Sequence, residues 1–234
     1  MTICMIVSLQ SSITNIMTVN VCQLYLITPP QITDVNLFCL NLETALSAAP
    51  VNCLQIRLKK ENNECEDDIV ILSLYNKIKP ICDRYGTLII INDNLYVAKT
   101  AKADGVHLGQ KDADYFHARE LLGQEAIIGI TCHNSKELAF KAASSGADYV
   151  AFGAFYSSKT KDLKHKANME ILEWWHEAME VPCLAIGGID ISNAEKIIKA
   201  GADFIALSNA VWSNTDNISS VVSQLSRLCH QHIH

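Results

Sequence analysis

The strongest constraint in this chain is an alternation. From residue 23 onward a short apolar run, a polar loop and a stretch of helical periodicity follow one another, and the unit recurs eight times. The strand-like runs are QLYLITP (23–29), NCLQIRLK (52–59), TLIII (87–91), GVHLG (105–109), AIIGITC (126–132), DYVAFGAF (148–155), CLAIGG (183–188) and FIALS (204–208). Between them lie helix-like stretches such as VNLFCLNLETALSAA (35–49), an acidic segment running to about Tyr85, SKELAFKAASS (135–145) and MEILEWWHEAME (169–180), with a last helix expected to reach about Leu228. Several strands are continuously apolar, which suits strands covered on both faces and not a half-solvated sheet. Gly146-Ala-Asp and Gly201-Ala-Asp each close a helix, with the glycine placed for a left-handed cap. Eight strand–helix units predict an α/β fold, a single-domain (β/α)8 TIM barrel. An open doubly wound sheet is the alternative; it usually carries a GxGxxG turn after its first strand, and none occurs here.

The barrel is expected over residues 22–229, flanked by an N-terminal extension (1–21) and a C-terminal tail (230–234). The first residues, MTICMIVSLQSSITNIM, are apolar but hold no Lys or Arg, so they lack the basic start of an export signal. They read as a frayed extension or as residues ahead of a true start at Met17. No apolar run reaches the length of a membrane span. The nine cysteines are odd in number and irregular in spacing, with no CxxC pair. They read as reduced thiols, several of them small core residues, in a cytoplasmic protein. The tail from Cys229 to His234 has metal-like letters but reads as a polar end. A net charge of −6 argues against nucleic-acid or anionic-membrane partners and leaves small phosphorylated molecules, which need only a local basic patch. A homo-oligomer is compatible with the sequence.

In such barrels the reactive groups collect where strands end and the following loops begin. Two carboxylates, Asp93 and Asp112, stand just past the third and fourth strands, so their side chains are placed to converge. Each is also readable as a turn-forming Asx residue. Gln55, Arg57 and Lys59 recur at a spacing of two and so share one face of strand two. In a barrel with no solvated face that pattern points to an anion site, with Arg supplying a planar fork and Lys a mobile charge. After strand six, Ser158 and Thr160 flank Lys159 and precede Lys161, which is donor-rich loop chemistry. Strand seven ends in Gly187-Gly188, and strand eight in Ser208-Asn209. Loops at these two positions often bind phosphate through backbone N–H groups. His133 is available as an acid–base group but more readily caps a helix or props a loop. Cys132 is assigned to packing. The sum is two anion sites and a carboxylate pair, a setting in which Mg²⁺ can be held by one or two carboxylates and substrate phosphates.

These pieces resemble the thiamine-phosphate synthase family from about Leu24 to Trp212. The resemblance is carried in order by LQIRLK, IINDN, DGVHLGQKD, GITCHN, GADYVAFGAFYSSKTKD, CLAIGGI and GADFIALSNAVW. It implies a transferase that joins a hydroxymethylpyrimidine diphosphate to a carboxylated thiazole phosphate, releasing diphosphate and CO₂. It further implies that Gln55, Arg57, Lys59, Asn92, Thr131 and Lys161 bind the pyrimidine diphosphate, with Arg57, Lys59 and Lys161 as the catalytic cations. Asp93 and Asp112 would hold Mg²⁺. Ser158, Lys159, Thr160, Gly188, Ser208 and Asn209 would surround the thiazole phosphate. The chain departs from the family pattern at Ser157-Ser158, where Pro-Thr is usual, at Thr131, where Ser is frequent, and at Ser208-Asn209. Two rival readings are a thiazole tautomerase on a related barrel, which would use His133, and a non-catalytic regulator that binds thiamine phosphates.

Overall fold

The computed structural model of the protein describes residues 21–62, 64–156 and 166–232. Eight parallel strands, β1 (Gln23–Ile27), β2 (Cys53–Ile56), β3 (Leu88–Asn92), β4 (Gly105–Leu108), β5 (Ile127–His133), β6 (Tyr149–Gly153), β7 (Cys183–Ile186) and β8 (Phe204–Leu207), pair in sequence order. The sheet closes when β8 pairs with β1, Ile205 standing opposite Leu24 and Leu207 opposite Leu26. Closure leaves no unpaired sheet edge. The helices are α1 (Val35–Ala48), α2 (Asp68–Tyr85), α3 (Leu95–Ala101), α4 (Tyr115–Leu122), α5 (Lys136–Ser145), α6 (Met169–Ala178), α7 (Ala194–Lys199), the short α8 (Asn209–Trp212) and α9 (Ile218–Gln231). The alternation read from the sequence is therefore the (β/α)8 barrel it predicted.

Neighbouring residues on one strand enter different cores. Leu24 and Leu26 of β1 belong to the layer between strands and helices, with Phe38, Leu42, Ile78 and Trp175. Tyr25 and Ile27 belong to the barrel lumen with Cys53, Ile90, Tyr149, Leu184 and Phe204. The two-residue period of a strand sorts them, and both destinations are dry, so the strands read as unbroken apolar runs.

The lower rim is fastened by a repeated device. Asp104, Asp148 and Asp203 precede β4, β6 and β8, and each accepts a backbone N–H from the strand before: Ile89, Ile128 and Cys183, at 2.7, 2.8 and 2.7 Å. Arg119 also bonds Asp148, at 2.7 Å. The Ala-Asp pairs after Gly146 and Gly201 thus do more than follow a cap; their carboxylates tie adjacent strands where the barrel needs stability and not chemistry.

Three boundaries differ from the sequence reading. β2 stops at Ile56, before Arg57 and Lys59, because the Arg57 N–H turns to the Thr28 hydroxyl (2.9 Å) and not to a strand carbonyl. Lys59 then forms an antiparallel bridge with Cys65. At the far end α9 continues to Gln231, three residues past Leu228, and His230 bonds back to the Ser226 carbonyl at 2.7 Å. Finally, α5 is capped by Ser135, whose hydroxyl accepts the Leu138 N–H, and not by His133. All eight cysteines among the described residues are unpaired, six of them buried.

Candidate active site

The polar groups of the lumen gather toward the C-terminal ends of the strands, and they are unevenly shared. Gln55, Asn92 and His107 are buried on β2, β3 and β4, with Thr131 beside them on β5. Inward positions on β6 to β8 are Tyr149, Ala151, Leu184, Phe204 and Ala206. One side of the mouth is therefore polar and the opposite side is mainly apolar.

At the end of β3 the chain must leave the sheet and enter α3 within two residues. Asp93 makes that turn in the left-handed region (φ 64°), its N–H held by the His107 carbonyl at 2.8 Å. Asn94 caps α3 by accepting the Val97 N–H. This frees the Asp93 carboxylate to reach Lys59, whose Nζ lies 3.1 Å away, with the Cys65 thiol 3.2 Å from the same nitrogen. Partial burial acts to lower the Lys59 pKa, but the bonds to Asp93 and Cys65 outweigh it and the net shift is upward. Lys59 is thereby kept as a cation.

Asp112 is half turn residue and half site residue. One of its oxygens accepts the Gly109 N–H at 2.7 Å, the turn chemistry its bland reading required. Burial raises its pKa first, and the charge and hydrogen-bonding contact of Asp93 raise it further, against the Gly109 N–H and Lys59. Two carboxylates from successive strands thus repel each other at one place, as their positions in the sequence led us to expect. Lys59 bonds Asp93 directly, which leaves Asp112 incompletely compensated. A hard divalent cation fits this donor set. Among the described residues no cluster of three or more His, Cys, Asp and Glu exists, so the remaining ligands would be phosphate oxygens and water, the usual arrangement for Mg²⁺.

Arg57 is half-buried, and no carboxylate stands within ion-pairing distance of it among the described residues. With Lys59 it gives the mouth positive charge beside the carboxylate pair. The expected strand-two triad is thus divided: Gln55 points into the lumen and donates to the Tyr25 hydroxyl at 3.2 Å, whereas Arg57 and Lys59 rise above the strand end.

Across the mouth, Gly187 and Gly188 follow β7 with φ of 106° and 63°. A Cβ on Gly187 would lie 2.4 Å from the Ala154 Cβ, so this glycine is needed for close approach to the loop after β6. Asn193 donates to the Gly188 carbonyl at 2.9 Å. Ser208 follows β8 and donates to the Thr28 carbonyl at 3.3 Å, and Asn209 begins α8. The β7 and β8 ends are adjacent, Ile186 standing opposite Ala206. Ser158, Lys159, Thr160 and Lys161 lie outside the described residues. Cys132 is fully buried with its thiol pushed up to about 12 by burial, in keeping with packing. His133 occupies a bulge in β5 at φ 54°.

Sequence reading missed His107, Tyr25 and Tyr149. His107 Nδ1 lies 2.9 Å from the Tyr149 hydroxyl and Nε2 lies 2.8 Å from the Thr131 hydroxyl. The Tyr149 hydroxyl meets Tyr25 at 3.0 Å. Burial lowers the His107 pKa to about 4, Asp93 opposing and Arg57 assisting. The one signal available was a histidine in the middle of an otherwise apolar strand, GVHLG.

A closed parallel barrel with cations, paired carboxylates and a glycine turn gathered at its C-terminal mouth defines the class: a (β/α)8-barrel enzyme. The match to a family narrows it. The chain belongs to the thiamine monophosphate synthase family, whose model matches residues 24–211. It is 44% identical over 207 residues to the thiamine-phosphate synthase of Rhodospirillum centenum, covering 88% of this chain and 97% of that one. It is 45% identical over 206 residues to that of Hyphomonas neptunium, covering 88% and 93%. Among solved structures, the thiamine phosphate pyrophosphorylase of Pyrococcus furiosus superposes with a TM-score of 0.76 at 26% identity, over 89% of this chain and 96% of that one. A geranylgeranylglyceryl phosphate synthase from Thermoplasma acidophilum, at 13% identity and a TM-score of 0.67 over 96% and 98% of the chains, shares the fold.

Proposed function

We propose that the protein is a thiamine-phosphate synthase. It joins 4-amino-2-methyl-5-(diphosphooxymethyl)pyrimidine to the carboxylated thiazole phosphate and releases thiamine phosphate, diphosphate and CO₂. The observation that carries this reading is the meeting of Asp93, Asp112 and Lys59 at the barrel mouth of a chain in this family. Gln55, Asn92 and Thr131 bind the pyrimidine end from the polar side of the lumen, while Arg57 and Lys59 bind its diphosphate, a role the family resemblance extends to Lys161. Asp93 and Asp112 hold Mg²⁺, which when bound neutralises charge on the diphosphate. The thiazole phosphate binds across the mouth, against Gly188, Ser208 and Asn209, and the family resemblance adds Ser158, Lys159 and Thr160 to its partners.

The chemistry asks for charge stabilisation and not for a nucleophile. As the C–O bond to the diphosphate breaks, the aminopyrimidine stabilises the cation left behind and the thiazole nitrogen attacks it; the ring carboxylate then leaves as CO₂, its electron pair staying on the ring carbon, which takes up a proton from solvent. Arg57 and Lys59 stabilise the negative charge growing on the leaving group; each such preorganised donor contributes about 3 kcal/mol. The thiol that does face the lumen, Cys53, is kept protonated, burial pushing it up to about 12. The reduced cysteines and the absence, among the described residues, of a helix long and apolar enough to cross a membrane fit an enzyme working in the cytoplasm. The test is to incubate the purified protein with both substrates, with and without Mg²⁺. Thiamine phosphate and diphosphate should form in equal amounts and only with the metal; no product under any metal condition refutes the reading.

A further inference from the structure

Five side chains form one continuous hydrogen-bonded path through the lumen: Gln55 to Tyr25, Tyr25 to Tyr149, Tyr149 to His107 and His107 to Thr131. It starts on β2, crosses the barrel between β1 and β6, and returns through β4 to β5. Gln55, Tyr25, Tyr149 and His107 are all buried, so no solvent competes for their bonds. The path needs a glycine. A Cβ on Gly129 would lie 2.0 Å from Tyr149 Cζ, so the ring fills space that only glycine leaves open on β5. The His107 and Tyr149 rings lie nearly parallel, with centroids 5.6 Å apart.

The direction of this path follows from donor counting. The Gln55 amide nitrogen donates to the Tyr25 oxygen. The Tyr25 proton then goes to Tyr149, and the Tyr149 proton to His107 Nδ1. A neutral imidazole that accepts at Nδ1 carries its proton on Nε2, which donates to the Thr131 oxygen. Running the path backwards would aim the Tyr25 proton at an amide NH₂, with two donors facing each other and nothing to accept.

The geometry points to His107 as a positioning residue that, in the Nε2–H tautomer, fills the Thr131 oxygen and so leaves the Thr131 hydroxyl proton to be donated to substrate. It acts through Thr131 and, resting on the functional reading above, it tunes recognition of the pyrimidine diphosphate. Tyr149 and Tyr25 transmit the polarity set by Gln55.

The experiment has a part independent of substrate. Imidazole ¹⁵N and ¹³C spectra of the free protein at neutral pH should show His107 neutral with its proton on Nε2; an Nδ1–H tautomer or an imidazolium overturns the inference. The second part is kinetic. Tyr149→Phe, which removes the donor to Nδ1 and keeps the ring, should raise KM for the pyrimidine diphosphate by roughly three- to ten-fold, the worth of one misdirected hydrogen bond. In a Thr131→Ala background the same change should alter KM less than about two-fold, because the group it acts through is gone. An undiminished effect in that background, or no effect in the native one, refutes the relay. Should Tyr149→Phe fail to fold, Tyr25→Phe makes the same comparison one hydroxyl further back. If the wild-type protein makes no thiamine phosphate, the functional reading fails while the tautomer result stands by itself.

Discussion

His107 makes the protein acid-sensitive in a way that one substitution should remove. Its pKa is lowered from 6.5 to about 4, by burial first, with Arg57 adding to the shift and Asp93 opposing it. The groups bonded to it, Tyr149 and Thr131, are neutral hydroxyls, and burial holds the Tyr149 phenol well above its usual range. Because the folded pKa lies below the unfolded one, the unfolded chain takes up the extra proton. The associated stability is complete above pH 6.5 and is lost as pH falls from 6.5 toward 4. Between pH 7.5 and pH 5 the loss comes to about 2 kcal/mol, on the order of 4–8 °C in Tm for a chain of this size. Urea denaturation of the wild type and of His107→Asn at both pH values measures it. The variant will be less stable overall, but its stability should change with pH by about 2 kcal/mol less than the wild type's. Equal pH dependence in the two proteins would refute the claim that a neutral, buried His107 is what acid attacks.

Asp93→Asn and Asp112→Asn should each lower turnover by on the order of 10²-fold or more while Tm moves little, as measured by steady-state kinetics and thermal melts. Asn tolerates the left-handed backbone of residue 93 and can still accept the Gly109 N–H at residue 112, so normal activity in both variants would mean the carboxylates serve only the turns. Gly129→Ala should destabilise the barrel by about 1–3 kcal/mol in urea, since the new methyl collides with the Tyr149 ring. Asp148→Ala removes the acceptor shared by the Ile128 N–H and Arg119 and should cost about 3 kcal/mol with kcat unchanged; a fall in kcat without loss of stability would contradict its placement on the lower rim.

How much of this was legible in the sequence differs from element to element. The strand–helix order, and most element ends to within a residue or two, could be read because each depends on local chemistry: unbroken apolar runs, Asx and Ser caps, glycine at a left-handed exit. Asp93 and Asp112 could be brought together on paper because consecutive barrel strands are neighbours, so two strand ends must be adjacent. Gln55, Arg57 and Lys59 were grouped by a spacing of two, and there the local rule failed. Thr28, just past the end of β1, takes the Arg57 N–H, and Cys65, after a turn, pairs back with Lys59, so the strand ends early. Tyr25, His107 and Tyr149 gave almost no signal. Each sits inside an apolar run and reads as core; it is core, but core whose polar atoms meet one another. The sequence by itself determined the periodicities, the caps and the charges at the strand ends, because those are set by residues within a turn or two of each other. Only the closed barrel decided which inward-facing groups share the lumen, because the Tyr25–Tyr149 contact joins residues 124 positions apart and exists only once β8 has paired with β1.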